Sequence, residues 1–529
     1  MSIDTIRRRL LAAAVALTAG LALTACGGGG GTTGAGGSLV ETAGAPQKPT
    51  GTLRMAAWQE TPNFDPPRTT TQNGMLIFPQ YDTLTVVDEK FTTKPWLATS
   101  WTQPDPKTWE FKLRSDVTFH DGSRFDAETV KLNLERAKKI VGGPYTNVYA
   151  PIDTVEVVDP ATVRVTFALP QPNFPYMMST VAGAMISPKA IKDGTDLTRT
   201  PAGSGGWIWQ KDAHREGAEH VFKANPNYWN KGAVRVETIT VKIMQEDNAR
   251  LNAIQSGQID VSSTLQPNQM DTARNAGLRV LSDFTFTGMF LIMDRKGTKV
   301  PAFAKPEVRQ AIGLLLDREA YNKALLSGKG DSKNGGFAAP GSWWYDPSLD
   351  GLNKPDVAKA KQLLAQAGYP DGFSFEVGNA PVIKAQNETV AQLLKEGGIE
   401  MKIVDVANGQ YTADVRRGRF PAGYFVPTSI DPYQWYGRTI SNKGIYNAFK
   451  LDDLADLDKT FGQVLTTSDE NTRKQLLNRL QRQTVERGVA FPLSQNPRAS
   501  ALAASVRAVQ QPIFAAEDIA PRPHYLWTK

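Results

Sequence analysis

The clearest hydrophobic pattern in the chain lies between residues 108 and 122. Three large apolar residues alternate there with charged ones: Trp109, Phe111 and Leu113. A period of two is typical of a strand with one buried face. Two further apolar residues, Val117 and Phe119, precede a His-Asp-Gly turn and predict a second strand.

The residues that follow predict an amphipathic helix. Asp126 can accept hydrogen bonds from the first backbone N–H groups of a helix. Apolar residues then recur at steps of three and four: Val130, Leu134, Ala137 and Val141. This period puts them on one helical face, so we expect the helix to cover the two strands.

Helices and strands alternate along the rest of the chain. Further strands are predicted at 53–58, 155–169 (two strands joined by Asp-Pro), 238–243, 373–377 and 400–406. Further helices are predicted at 248–256, 306–316, 317–327, 359–368, 389–395 and 469–487. This alternation favours the α/β fold class.

The first 25 residues are typical of an export signal peptide. Three arginines precede an apolar segment, Leu10–Leu23, that is too short to cross a membrane as a permanent helix. The segment ends in Leu-Thr-Ala-Cys, which resembles the motif at which Cys26 becomes lipidated. Residues 26–51 are rich in Gly, Thr, Ala and Pro and predict a flexible tether. We therefore expect export and lipid anchoring to the outer face of the cell membrane.

Composition argues against several classes of function. The formal charge of +7 is spread over 60 basic and 53 acidic residues, so no nucleic-acid partner is expected. The four histidines lack metal-ligand spacing, and the one cysteine is assigned to lipidation. The glycines at 203–206 match neither a phosphate-binding loop nor a nucleophile elbow. We expect no enzyme activity, no metal and no cofactor.

Several strings together resemble family 5 of the solute-binding proteins of ABC importers. They are Pro-Trp-Leu-Ala from residue 95, Trp-Glu-Phe from 109, the run at 113–122, Ser-Pro-Lys-Ala from 187, Asn-Pro-Asn-Tyr-Trp from 225 and Val-Arg-Gln-Ala-Ile from 308. The resemblance implies a type II periplasmic-binding-protein-like fold, with two lobes, a cleft between them and an extra subdomain in the first lobe. We expect the first lobe at 52–294 with the subdomain at about 91–195, the second at 295–494, and a return to the first at 495–529.

The resemblance also implies which residues line the cleft. They are Glu60, Asn63, Tyr81, Trp207, Phe425, Thr428, Asp431, Trp435 and Tyr436. Relatives that bind peptides carry an aspartate at the position of Thr428, where it pairs with the amino terminus of the peptide. A neutral hydroxyl cannot supply that charge-assisted hydrogen bond, so Glu60 or Asp431 would have to replace it.

The function implied is that of a monomeric substrate-binding lipoprotein that captures a short peptide and delivers it to an ABC permease with a partner ATPase. An oligosaccharide is the alternative ligand, since the chain has 11 Trp, 14 Tyr and 22 Phe that could stack on sugar rings. A nickel complex is a weaker candidate. A secreted hydrolase with paired carboxylates is a remote alternative.

Overall fold

The computed structural model describes residues 40–60, 63–88, 91–407, 410–427, 431–509 and 521–529, and their side chains except those of residues 71 and 285. The predicted signal peptide, Cys26 and Thr428 lie outside these residues. Within the described part, no helix is both long and apolar enough to cross a membrane.

The strands, numbered in chain order, are β1 (Thr50–Ala57), β2 (Thr85–Val87), β3 (Thr93–Pro95), β4 (Ala98–Asp105), β5 (Thr108–Leu113), β6 (Ile152–Asp159), β7 (Thr162–Phe167), β8 (Trp207–Trp209), β9 (Glu219–Ala224), β10 (Val236–Ile243), β11 (Val261–Ser262), β12 (Arg279–Ile292), β13 (Phe373–Asn379), β14 (Ile399–Asp405), β15 (Ala422–Phe425), β16 (Ala490–Leu502), β17 (Val506–Ala508) and β18 (Leu526–Thr528).

The α-helices are α1 (Gly74–Ile77), α2 (Ala127–Lys138), α3 (Thr146–Tyr149), α4 (Phe174–Met177), α5 (Pro188–Lys192), α6 (Asp247–Gln255), α7 (Met270–Asn275), α8 (Pro306–Leu315), α9 (Arg318–Leu326), α10 (Val357–Gln366), α11 (Lys384–Lys395), α12 (Tyr411–Arg416), α13 (Ala455–Thr466) and α14 (Glu470–Glu486). A π-helix covers Gln434–Ile440.

One mixed sheet runs through both lobes, in the order β15-β12-β16-β11-β1-β10-β9-β8. Its long antiparallel pair, β12 and β16, reaches from one hydrophobic core to the other. In β12, Leu281 belongs to the first core and Met289 to the second. The register of the pair shifts between these two residues, at Phe284/Phe286 and Gly288/Met289. Such bulges bend a strand locally, and we infer that the lobes meet here, before the boundary predicted at 294/295.

A four-stranded antiparallel sheet, β4-β5-β7-β6, forms the centre of the predicted subdomain. Helix α2 packs on β6 and β7, and the Asp126 side chain caps it by accepting from the N–H of Thr129. The helix ends at Lys138, so Val141 lies beyond it and is 92 % exposed, contrary to the prediction. The predicted strand at 117–119 is also wrong. This segment is a turn with a single bridge, although Val117 and Phe119 are buried.

Part of the predicted tether is held against the C-terminal segment. The N–H of Glu41 donates to the carbonyl oxygen of Ala508 at 2.8 Å. The Glu41 carboxylate accepts from Arg507 and contacts Lys529, each at 2.8 Å. These contacts join Glu41, which lies within the range predicted as tether, to the C-terminal segment.

The carboxylate of Asp82 holds together several distant segments of the first lobe. It is 1 % exposed and accepts from four groups: Trp96 Nε1 at 2.7 Å, Tyr228 OH at 2.8 Å, Ser204 Oγ at 2.9 Å and Trp229 Nε1 at 3.2 Å. Its pKa is raised by burial and lowered by these donors. The segments around residues 82, 96, 204 and 228 therefore meet at one buried acceptor.

The glycines of residues 203–206 are required by close backbone packing. A Cβ on Gly203 would lie 1.8 Å from the carbonyl oxygen of Gln80, and one on Gly205 would lie 2.5 Å from its carbonyl carbon. The N–H of Gly205 donates to that oxygen at 3.0 Å. These glycines let two loops touch backbone to backbone.

Candidate functional site

A cavity of about 430 Å³ lies where the two lobes face each other across β12 and β16. We call it the interlobe cavity. Its volume is within the usual range for small-molecule sites. The first lobe contributes residues at 70–72, 144–147 and 176–180, and the second contributes 425–427, 434–439 and Tyr446. Phe286 of β12 and Arg498 of β16 contribute from the crossing strands.

Two contacts join the lobes beside this cavity. Asn173, just before α4, donates from Nδ2 to Asp431 Oδ2 at 3.0 Å. The Nε2 of Gln434, the first residue of the π-helix, lies 3.8 Å from the sulfur of Met177. Both contacts reach from the helix-bearing wall of the first lobe to the start of the π-helix. They connect the two walls that a ligand in the cavity would touch.

The wall of the second lobe is apolar near β15. Phe425 ends β15 and its ring centroid lies 4.4 Å from that of Tyr446. Val426 follows with 43 % of its surface exposed. A wall of this kind suits the apolar part of a small solute.

The charged side chains of the interlobe cavity are arginines. Arg438 projects from the π-helix, and the guanidinium of Arg498 lies 4.7 Å from the ring centre of Phe286. Among the described lining residues there is no aspartate or glutamate. The polar remainder consists of amides and hydroxyls, such as Gln72, Asn147 and Thr439.

A smaller cavity of about 200 Å³ is lined by both partners of the Asn173–Asp431 contact. We call it the aromatic pocket, because its walls are largely aromatic: Phe91, Trp101, Trp109, Tyr176, Trp343 and Tyr433. Tyr176 lines both cavities. Glu470 and Arg473 at the start of α14 provide its charged rim.

Of the residues expected to line the cleft, the structure brings Phe425 to the interlobe cavity and Asp431 to the aromatic pocket. Asp431 is 2 % exposed, and it accepts from the N–H groups of Tyr433 and Gln434 as well as from Asn173. Burial raises the pKa of Asp431, and these donors lower it. Its carboxylate is therefore already engaged.

Two of the expected residues, Trp435 and Tyr436, are packed inside the second core. The Trp435 ring stacks on Phe337 with centroids 4.7 Å apart, and Tyr436 OH donates to Asp458 at 3.0 Å. Both side chains have 0 % exposure. They shape the wall from behind and do not line the cavity.

The remaining expected residues that are described lie in the first lobe, away from both cavities. Tyr81 OH donates to the carbonyl oxygen of Phe64 at 3.0 Å, and the Trp207 indole donates to that of Val236 at 2.8 Å. Asn63 Oδ1 accepts from the N–H of Asp65 at 2.9 Å. Glu60 Oε1 lies 3.1 Å from His220 Nε2, and burial lowers the pKa of His220 to about 4.

Sequence reasoning missed Arg438, Arg498 and Tyr176. Arg438 follows the predicted cleft residues Trp435 and Tyr436 closely in the sequence, but a single charge at that place carries no distinctive signal. Arg498 lies in a segment whose sequence is typical of an ordinary β-strand. In the described residues no group of three His, Cys, Asp or Glu side chains could hold a metal ion.

Comparison with known proteins gives consistent matches. The family model for bacterial extracellular solute-binding proteins, family 5 Middle, matches residues 92–447. The glutathione-binding protein GsiB of Salmonella paratyphi A is 30 % identical over 347 residues, 63 % of this chain and 65 % of the relative. The chain thus spans about two thirds of the length of that relative.

Solved structures share the fold. HbpA2 from Haemophilus parasuis superposes with a TM-score of 0.79 at 21 % identity, covering 90 % of this chain and 100 % of its own. DppA from Helicobacter pylori, in complex with the peptide STSA, superposes with a TM-score of 0.71 at 20 % identity, covering 91 % and 99 %. The predicted fold class, an α/β protein of the type II periplasmic-binding kind, is confirmed.

Proposed function

We propose, because the chain belongs to the bacterial extracellular solute-binding proteins, family 5, that it captures a short peptide or peptide-like solute and delivers it to the permease of an ABC importer. The observation that carries the proposal is the interlobe cavity, whose walls come from both lobes and from the strands that cross between them. A site divided in this way couples ligand binding to the angle between the lobes.

The mechanism proposed is ligand-driven closure. The ligand must bind the closed arrangement more tightly than the open one, since only such a difference shifts the equilibrium. The Asn173–Asp431 and Gln434–Met177 contacts form when the walls approach. The bulges in β12 and β16 provide the place where the strands bend.

The peptide-like ligand is supported by the relatives, since GsiB is named for glutathione and DppA is in complex with a peptide. An oligosaccharide is the second candidate. The aromatic pocket supports it, because the faces of Trp101, Trp109 and Trp343 could stack on sugar rings.

We further propose export and lipidation at Cys26, which would hold a monomeric binding protein at the outer face of the membrane beside its permease and ATPase. The support is the sequence of residues 1–26. Mass spectrometry of the mature chain should find a diacylglyceryl group on Cys26. The C26S variant should instead be released into the medium, and an unmodified Cys26 in the exported protein would refute this part.

The test of function is the thermal midpoint of the full chain, freed of bound ligand, with and without a mixture of two- to six-residue peptides. A ligand at about a hundredfold its dissociation constant adds roughly 2.7 kcal/mol to the free energy of unfolding. For a chain of this size the midpoint should rise by about 2–4 °C. No rise, and no compaction in small-angle scattering, would refute peptide capture and would direct the same assay to oligosaccharides.

A further inference from the structure

The charge balance of the interlobe cavity narrows the class of ligand. Its two charged lining residues, Arg438 and Arg498, are both cationic, and no described lining residue is acidic. Residues 428–430, which follow Pro427 in the sequence, are Thr, Ser and Ile and carry no carboxylate. A site with this balance attracts anions, because the guanidinium group pairs most strongly with carboxylate or phosphate.

Arg438 is available for such a pairing. Its side chain is exposed, and no ion pair or hydrogen bond joins it to any residue that the structure describes. Its backbone is fixed, because its carbonyl oxygen accepts from the N–H of Ile445 at 2.9 Å. Two acids of the same lobe are engaged with other groups, since Asp458 accepts from Tyr436 and Asn442, and Asp431 accepts from Asn173.

Arg498 is more constrained. Its guanidinium lies 4.7 Å from the ring centre of Phe286, and Asp283 stands directly opposite it in the register of β12 and β16. A carboxylate at that cross-strand position lies within reach of the guanidinium. Arg498 therefore offers a positioned donor with part of its charge balanced, and Arg438 offers the stronger attraction for an anion.

A counter-charge for an ammonium group is lacking in the same cavity. Glu60 does not line it and contacts His220, and the Asp431 carboxylate is 2 % exposed and engaged by three donors. An ammonium group in the cavity would therefore lose its hydration without gaining a carboxylate partner. Burying a charge in this way is unfavourable.

We propose that the ligand is a small solute whose carboxylates outnumber its amines, with one carboxylate bound by Arg438 and a second polar group at Arg498. This proposal rests on the proposed function and specifies its ligand. Peptides with a blocked amino terminus or an acidic side chain belong to the class, as does glutathione, which has two carboxylates and one amine. Cationic peptides are excluded.

The test compares four probes by calorimetry with the full chain, freed of bound ligand. The first three share one backbone: trialanine, N-acetyl-trialanine and trialanine amide, which are neutral, anionic and cationic. Glutathione is the fourth. We expect the acetylated form to bind at least as tightly as trialanine, and the amide to bind at least about tenfold more weakly, as for the loss of one charge-assisted hydrogen bond.

The variant R438Q should weaken binding of the anionic probes at least about tenfold. The matched control is R479Q, because Arg479 is an exposed arginine on α14 that lines neither cavity. Its affinities should equal those of the unmodified chain. The thermal midpoint of each variant without ligand checks that it folds.

The outcomes separate the two proposals. If trialanine and its amide bind alike and acetylation abolishes binding, the charge proposal is overturned and peptide capture stands. If glutathione alone binds, and binds through Arg438, the charge proposal stands and capture of simple peptides fails. If folded, ligand-free protein binds none of the four probes, both proposals are overturned.

Discussion

Replacement of Asp82 should destabilise the first lobe more than replacement of any surface carboxylate. In D82A, the Trp96 and Trp229 indoles lose the acceptor of their N–H groups, and the two rings hold each other in place by an edge-to-face contact. A buried donor left without an acceptor costs about 1–3 kcal/mol. The hydroxyls of Tyr228 and Ser204 lose their acceptor as well. The total is roughly 3–6 kcal/mol, a large part of the stability of a typical domain.

D82N should be milder, at about 1–2 kcal/mol, because the amide oxygen still accepts while its NH₂ faces one indole N–H. Since burial raises the pKa of Asp82, the neutral amide also avoids the cost of a buried charge. Urea unfolding followed by tryptophan fluorescence measures both variants. D193A is the control, because that carboxylate pairs only with exposed Lys189 on the surface and should leave the midpoint unchanged. A D82A midpoint equal to that of the control would show that the four hydrogen bonds do not stabilise the lobe.

The remaining predictions concern packing, closure and pH. V130A should lower the free energy of unfolding in urea by roughly 1–3 kcal/mol, because Val130 is 0 % exposed. V141A should leave that free energy unchanged, because Val141 is 92 % exposed. Equal effects of the two variants would contradict the helix boundary. N173A removes a hydrogen bond to Asp431 across the lobes and should weaken ligand binding, measured by calorimetry, at least about threefold. An unchanged affinity would argue that this contact plays no part in closure. Burial lowers the pKa of His524 to about 3. Below about pH 6.5 this histidine is therefore protonated in the unfolded chain but stays neutral in the folded chain. Stability should therefore fall as the pH drops from 6.5 toward 3, and H524L should reduce the loss between pH 7 and 4.5 by roughly 2–3 kcal/mol; an identical loss in both proteins would exclude this origin.

The fold could be predicted largely because its local signals agree with its tertiary packing. Strand β5 and helix α2 follow the alternation and the cap at Asp126, and α14 begins directly after Asp469, the first residue of the helix predicted at 469–487. The predictions failed where the apolar period runs on past the end of the element. The helical period continues to Val141, but the helix ends three residues earlier, before Gly142 and Gly143.

The site was predicted less well, for a physical reason. The sequence shows that a segment is rich in aromatic and acidic residues, but it does not show whether their side chains line a cleft or fill a core. Burial depends on the whole fold. Trp435 and Tyr436 are packed in the core of the second lobe, and the Asp431 carboxylate accepts a hydrogen bond from Asn173. Arg438 and Arg498 come together only because a π-helix and the strand β16 face the same cavity.

The return of the chain to the first lobe has a consequence for biosynthesis. The core of the second lobe uses residues from Met289 to Leu493, a nearly continuous stretch that can pack as soon as it has been made. The core of the first lobe includes Leu53 and also Leu526 and Trp527, almost at the end of the chain. Its contact order is therefore high, and such pairings form slowly. The lobe whose first residues are synthesised earliest is therefore the one whose core is completed last.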